Sequence, residues 1–148
     1  MANRRRIGAH RALCVYSFVH RGTPERPGLV LGLDRGGSCR GVAFRVTPGA
    51  EAETIAYLKA REQTTRAYID RTLPVELEDG RRIQALAYVV DRRHPQYAGR
   101  LPDTDLVRLV RQGNGRSGAN PDYVHATHEH LVAMGVTDPA LARLSAAL

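Results

Sequence analysis

Cysteine is nearly absent, with Cys14 and Cys39 the only two in 148 residues. That is too few for a disulfide framework, so a reducing cytoplasm is the expected location. Lysine is scarcer still, Lys59 standing alone, and the aromatics are six Tyr and two Phe. Long apolar runs are also missing: the longest, Ile83 to Val90, is broken by Gln84 and is far too short to span a membrane. Arg4-Arg5-Arg6 followed by Ala12 to Val19 imitates a secretory leader. The stretch alternates and runs into His20-Arg21 without a small-residue cleavage site, so it reads as a strand. No membrane partner is expected.

What is abundant is arginine. Lys+Arg total 22 against 15 Asp+Glu, a net charge of +7. A nucleic-acid surface gathers its cations on one face or interleaves them with stacking rings. Here the arginines are spread along the whole chain, so no nucleic-acid partner is expected. With 43% hydrophobic and 25% charged residues, the composition fits one globular domain over residues 1–148.

The first half patterns as strands and the last third as helices. Ala12 to Val19 and Leu29 to Leu33 flank a Pro/Gly-rich loop, and Asp34-Arg35-Gly36-Gly37 reads as a turn. Cys39 to Val46 alternates, with Val42, Phe44 and Val46 on one side. A helix is expected from Glu51 to about Gln63, with Glu51 and Glu53 suiting its positive end. Tyr68 to Leu77 and Arg82 to Val90 flank Asp79-Gly80, a hairpin signal, and the second strand is apolar on both faces. Asp103 or Thr104 is expected to cap a helix ending at Gln112, with Gly113 in the left-handed conformation. Asn120 is expected to cap the next helix, with Pro121 at its first position and Gly135 past its end, and Asp138 with Pro139 to start the last. The expected class is α+β, a small, mostly antiparallel β-barrel with helices packed outside.

Gly113-Asn114-Gly115-Arg116-Ser117-Gly118 matches the dinucleotide fingerprint, yet a helix precedes it where the mechanism needs a strand. A cradle of N–H groups for a carboxylate stays open there. On a helix His125 and His128 share a face but His130 points elsewhere, and no Cys or carboxylate completes a tetrahedral set, so no metal is expected. Nothing local activates Cys14 or Cys39, and Ser117 lacks the glycine two positions on that a nucleophile elbow requires. Glu62 is different: Glu51, Ile55, Leu58 and Glu62 follow spacings of four, three and four, so Glu62 continues an apolar row in the helix's last turn. Desolvation and the helix dipole both raise a carboxyl there toward the range of a general base. Arg61 and Arg66 offer the alternative of a surface ion pair.

Several segments in order resemble one family, the ChaC-type γ-glutamylcyclotransferases, which act on glutathione. They are His20-Arg21-Gly22-Thr23-Pro24-Glu25-Arg26-Pro27-Gly28, Gly36 to Phe44, Tyr57-Leu58-Lys59-Ala60-Arg61-Glu62, Asp91 to Gly99 and Gly115 to Tyr123. The resemblance runs from about residue 10 to the C-terminus and implies a γ-glutamylcyclotransferase-like fold. It further implies that Glu62 is the acid/base group, that glutathione is cleaved to 5-oxoproline and Cys-Gly, and that neither metal nor cofactor is needed. Tyr97 is a candidate to orient substrate through its hydroxyl, with packing beside Pro95 as the alternative. Arg21 is a candidate partner for a substrate carboxylate, with a merely solvated strand-end arginine as the alternative. The family's first strand and Tyr-Gly-Ser-Leu loop have no counterpart here, since Val15-Tyr16-Ser17-Phe18 lacks the glycine. A start codon placed too late is the favoured explanation, over a truncated form or a natural remnant without activity. A barrel lacking that strand is expected to expose an unpaired edge. The rival class is a fold relative that binds a γ-glutamyl ligand without turnover. The oligomeric state is not legible in the sequence.

Overall fold

The computed structural model describes the backbone of residues 2–5, 8–62 and 66–148, and the side chains of residues 8–61 and 66–148. Two compact units emerge, Met1–Ala12 with Gly32–Tyr97, and Leu13–Leu31 with Ala98–Leu148. Six strands, β1 (Ala2–Arg5), β2 (Ala9–Ser17), β3 (Gly28–Arg35), β4 (Gly41–Val42), β5 (Tyr68–Leu77) and β6 (Arg82–Val90), form one sheet in the order β2-β3-β6-β5-β1-β4. The sheet curls as a half-barrel and, with the helices, gives the expected α+β class. β2 and β3 each contribute residues to both units.

In the first unit the β5–β6 hairpin is the longest ladder, in unbroken antiparallel register from Tyr68↔Val90 to Glu76↔Arg82. Gly80 takes φ 85° at its tip, the left-handed value that a residue without Cβ adopts without strain. The Asp79 carboxylate accepts from the Arg81 backbone N–H at 3.0 Å and its Nε at 2.7 Å, closing the turn. β6 is not buried on both faces along its length. Only Val89 and Val90 are buried, while Leu86 is 40% exposed. β3 extends through Asp34 and Arg35, so these two residues continue a strand where a turn was expected. The expected strand over Cys39 to Val46 shrinks to β4, which pairs with β1 only through Ala2↔Val42 and Asn3↔Gly41. Alternation alone does not make a strand without a partner to pair with, and Phe44 ends 85% exposed. Helix α1 (Glu51–Glu62) is largely uncovered, with only Thr54 and Leu58 half-buried among its described side chains.

The second unit holds the apolar core. Helices α2 (Asp103–Gln112), α3 (Asn120–Ala133) and α4 (Pro139–Ala147) gather Leu109, Val110, Val124, Leu131, Leu141 and Leu144 around Leu29 of β3. Asp138 caps α4 as expected, its carboxylate accepting from the Leu141 N–H at 3.1 Å. Gly135 takes φ 72° after α3, and Val136 N–H returns to Leu131 O at 2.9 Å. Three expected caps are corrected. Asp103 is the first residue of α2, which is preceded by Pro102 with no side-chain cap, and Gly113 has φ −71°, not a left-handed value. Asn120 does not cap α3 either, because its side chain is committed elsewhere. Among the described residues no helix is long and apolar enough to cross a membrane.

Candidate functional site

The strongest polar constellation of the first unit centres on Asp34, 5% exposed near the end of β3. Its Oδ1 accepts from Arg92 Nε at 2.8 Å and from the Arg35 backbone N–H at 2.9 Å, and its Oδ2 accepts from the Tyr97 hydroxyl at 2.8 Å. Arg92 also donates to Arg35 O at 3.2 Å and lies 5.8 Å from the Tyr97 ring centroid, within cation–π range. Burial pushes the Asp34 carboxyl upward, but the hydrogen bonds from Arg92, Tyr97 and the Arg35 amide, with the Arg92 charge, outweigh it and hold the carboxyl below its ordinary value. Tyr97 is therefore anchored. Because its one proton is given to Asp34, the phenol oxygen presents only lone pairs to anything else it meets.

Glu62 is the last residue of α1, in the same unit, and its side chain lies outside the described residues. The expected apolar row through Ile55 is not a core row, since Ile55 is 40% exposed. The half-buried positions are Thr54 and Leu58, and position 62 continues that spacing of four along the helix.

Arg21 belongs to the second unit. Its Nη1 donates to Ala119 O at 3.1 Å, its guanidinium lies 5.5 Å from the Tyr123 ring centroid, and its backbone N–H reaches Ser17 Oγ at 2.9 Å. Tyr123 in turn accepts from the Leu31 N–H at 2.9 Å. Burial lifts the Tyr123 hydroxyl above its ordinary range, against that hydrogen bond and the Arg21 charge.

The glycine-rich segment of this unit is architectural. β7 (Asn114–Gly115) and β8 (Gly118–Ala119) make a short hairpin whose Arg116 and Ser117 amides donate to Val19 O at 2.8 Å and His20 O at 2.9 Å. The Arg116 and Ser117 N–H groups, candidates to cradle a carboxylate, are thus already used. A Cβ at Gly113 would strike Arg21 O and come within 2.9 Å of both Gly28 Cα and Asn120 Cβ, so the glycine permits close backbone approach. Asn120, fully buried, accepts from Leu29 N–H and donates to Leu29 O, both at 2.8 Å, pairing with that residue as a neighbouring strand would. Neither this clamp nor Asp34 is marked by local sequence. His125 bonds Ser145 Oγ at 2.7 Å, and no group of three His, Cys, Asp or Glu among the described residues could hold a metal. Cys14 is buried in β2.

A family profile described as "ChaC-like protein" matches residues 4–148. The glutathione-specific gamma-glutamylcyclotransferase of Escherichia coli (strain K12) is 31% identical over 135 residues, which cover 91% of this chain and 58% of that protein. Glutathione-specific gamma-glutamylcyclotransferase 1 of Danio rerio is 31% identical over 135 residues, covering 87% and 69% respectively. A solved gamma-glutamylcyclotransferase specific to glutathione from yeast aligns with a TM-score of 0.77 and 19% identity, covering 99% of this chain and 85% of that one, a likeness of fold. The chain spans somewhat over half the length of the Escherichia coli relative, at 58%. On the profile match across nearly its whole length, the chain belongs to the ChaC-like family.

Proposed function

We propose that the protein is a glutathione-specific γ-glutamylcyclotransferase acting in the cytoplasm and degrading glutathione to 5-oxoproline and Cys-Gly. The observation carrying this reading is the similarity to the Escherichia coli enzyme across 91% of the chain. Residues 1–148 are taken as one domain of this kind, the extent supported by the profile match over 4–148.

The chemistry is intramolecular. The substrate's α-amine, freed of its ammonium proton, attacks the γ-carbonyl carbon and closes a five-membered ring. The tetrahedral intermediate then breaks the bond to the cysteinyl nitrogen, which leaves with a proton. One carboxylate can take the first proton and deliver the second, and Glu62 is assigned that task. Holding the tripeptide folded supplies the proximity, so the cycle needs neither cofactor nor metal. Tyr97, with its proton directed to Asp34, is suited to accept from the substrate's ammonium or amide N–H. Arg21 is retained as a partner for a substrate carboxylate, although its bonds within the second unit also give it a structural occupation.

A second reading, a relative that binds γ-glutamyl ligands without turnover, is favoured by one observation. By its described side chains α1 is a largely exposed helix, whereas a general base gains basicity from apolar surroundings. The test is incubation of the purified chain with glutathione and, separately, with a panel of γ-glutamyl amino acids, following 5-oxoproline. Release from glutathione above the panel supports the reading. Saturable glutathione binding without product supports the second, and release from the panel without preference overturns the stated specificity.

A further inference from the structure

Arginines of the first unit surround a depression of about 310 Å³ that the catalytic reading does not use. Its placement follows from strand register. Ile69 of β5 pairs with Val89 of β6, and Val89 with Leu33 of β3, so the three lie in line on one face of the sheet. Arg71 follows Ile69 by two and Arg35 follows Leu33 by two, and a spacing of two keeps both on that face. β5 runs antiparallel to β6 and β3 parallel to it, so the two arginines leave the line in opposite directions. They stand diagonally across the Ile69–Val89 floor. Two strand spacings and four residues of rise separate their Cα atoms by roughly 16 Å.

Four guanidiniums border the depression, but two are already matched. Arg92 is paired with the buried Asp34 at 2.8 Å, and Arg93 with Asp91 at 3.4 Å. Among the described residues, Arg35 and Arg71 have no carboxylate partner, and both residues are exposed. The Arg35 backbone is held on both sides, its N–H by Asp34 and its carbonyl by Arg92. Side chains stand roughly perpendicular to a sheet, so with both arginines upright one small oxyanion between the two heads does not reach both, and a longer ligand does.

We propose that this depression is a binding site for an elongated small molecule with an oxyanion group at each end, with Arg35 and Arg71 each taking one end. Its middle lies over Ile69 and Val89, and each guanidinium can meet an oxyanion with two parallel N–H bonds. Glutathione, which has a carboxylate near each end, is one source of such a ligand, and a separate dicarboxylate is the other. The site does not depend on which.

The test is a ligand-observed NMR titration of the full chain at low salt with adipate, using acetate as the single-charge control. Adipate is expected to saturate at least ten-fold below acetate. Arg35→Gln and Arg71→Gln are each expected to weaken adipate ten-fold or more at unchanged melting temperature. Arg93→Gln, at a rim position already paired, is expected to change it less than two-fold. Adipate binding no tighter than acetate, or binding unaltered in both Arg35→Gln and Arg71→Gln, overturns the proposal. Displacement of adipate by glutathione upholds the site with the tripeptide as its ligand. Adipate binding that glutathione leaves undisturbed upholds it with a separate ligand, whether or not the chain cleaves glutathione.

Discussion

The two units are built on different physics. In the second, apolar side chains close on one another, with Leu29, Val110 and Val124 fully buried and the backbone around Gly113 packed too tightly for a Cβ. In the first, the one long ladder is a hairpin, the buried set is short, and Val42, Phe44, Ile55 and Tyr57 remain exposed. Its most organised feature is polar, the Asp34–Arg92–Tyr97 network. Burial of apolar surface supplies most of the stability of a fold, whereas a proton-transfer site needs polar groups held in place and still accessible. The contrast is between a unit held by apolar packing and a unit organised around a polar network.

The contrast breaks most visibly at Asn120. Asn120→Ala strands the Leu29 N–H and carbonyl in the core, and each unsatisfied group costs about 1–3 kcal/mol. Urea unfolding is expected to show a loss of about 2–6 kcal/mol, and a loss below 1 kcal/mol would mean the clamp is not structural. Hydrogen exchange sharpens the comparison next. Amides of α2 and α3 are expected to exchange at least roughly a hundred-fold more slowly than those of α1, whose described side chains are mostly exposed. Equal protection would erase the distinction.

Asp34 gives a smaller, pH-dependent effect. Its carboxyl is lowered on folding from the ordinary 3.8, so its contribution to stability is complete above that value and is lost as pH falls through the lower folded one. Asp34→Asn is expected to flatten the acid limb of stability below 3.8. An acid limb unchanged from that of the parent protein would contradict the network. The smallest effect belongs to Phe44, 85% exposed, where Phe44→Ser is expected to change stability by less than about 0.5 kcal/mol.

What was legible in the sequence was local. Asp79-Gly80 set the hairpin with the bounds observed, and Asp138-Pro139 and Gly135 marked helix ends, because each signal acts within a few residues. What misled was settled at a distance. Asn120 has the composition of a cap but is claimed by Leu29, 91 residues away, and Asp34 looked like a turn residue until Arg92 and Tyr97, 58 and 63 residues on, paired with it. Cys39 to Val46 had a strand's alternation but little to pair with. In the candidate site, Glu62 rested on family resemblance joined to its helix position, and Tyr97 on its hydroxyl, with packing beside Pro95 as the alternative. The hydroxyl's orientation toward Asp34 became visible only in three dimensions.

The central claim, that one carboxylate moves the protons of the cyclisation, is tested most directly by Glu62→Gln, which keeps shape and removes the base. Purified parent and variant are compared for 5-oxoproline release from glutathione, with melting temperature as the check on folding. The account predicts a fall of roughly 10²- to 10⁴-fold in rate at an unchanged melting temperature. A variant that turns over glutathione at the parental rate would contradict it.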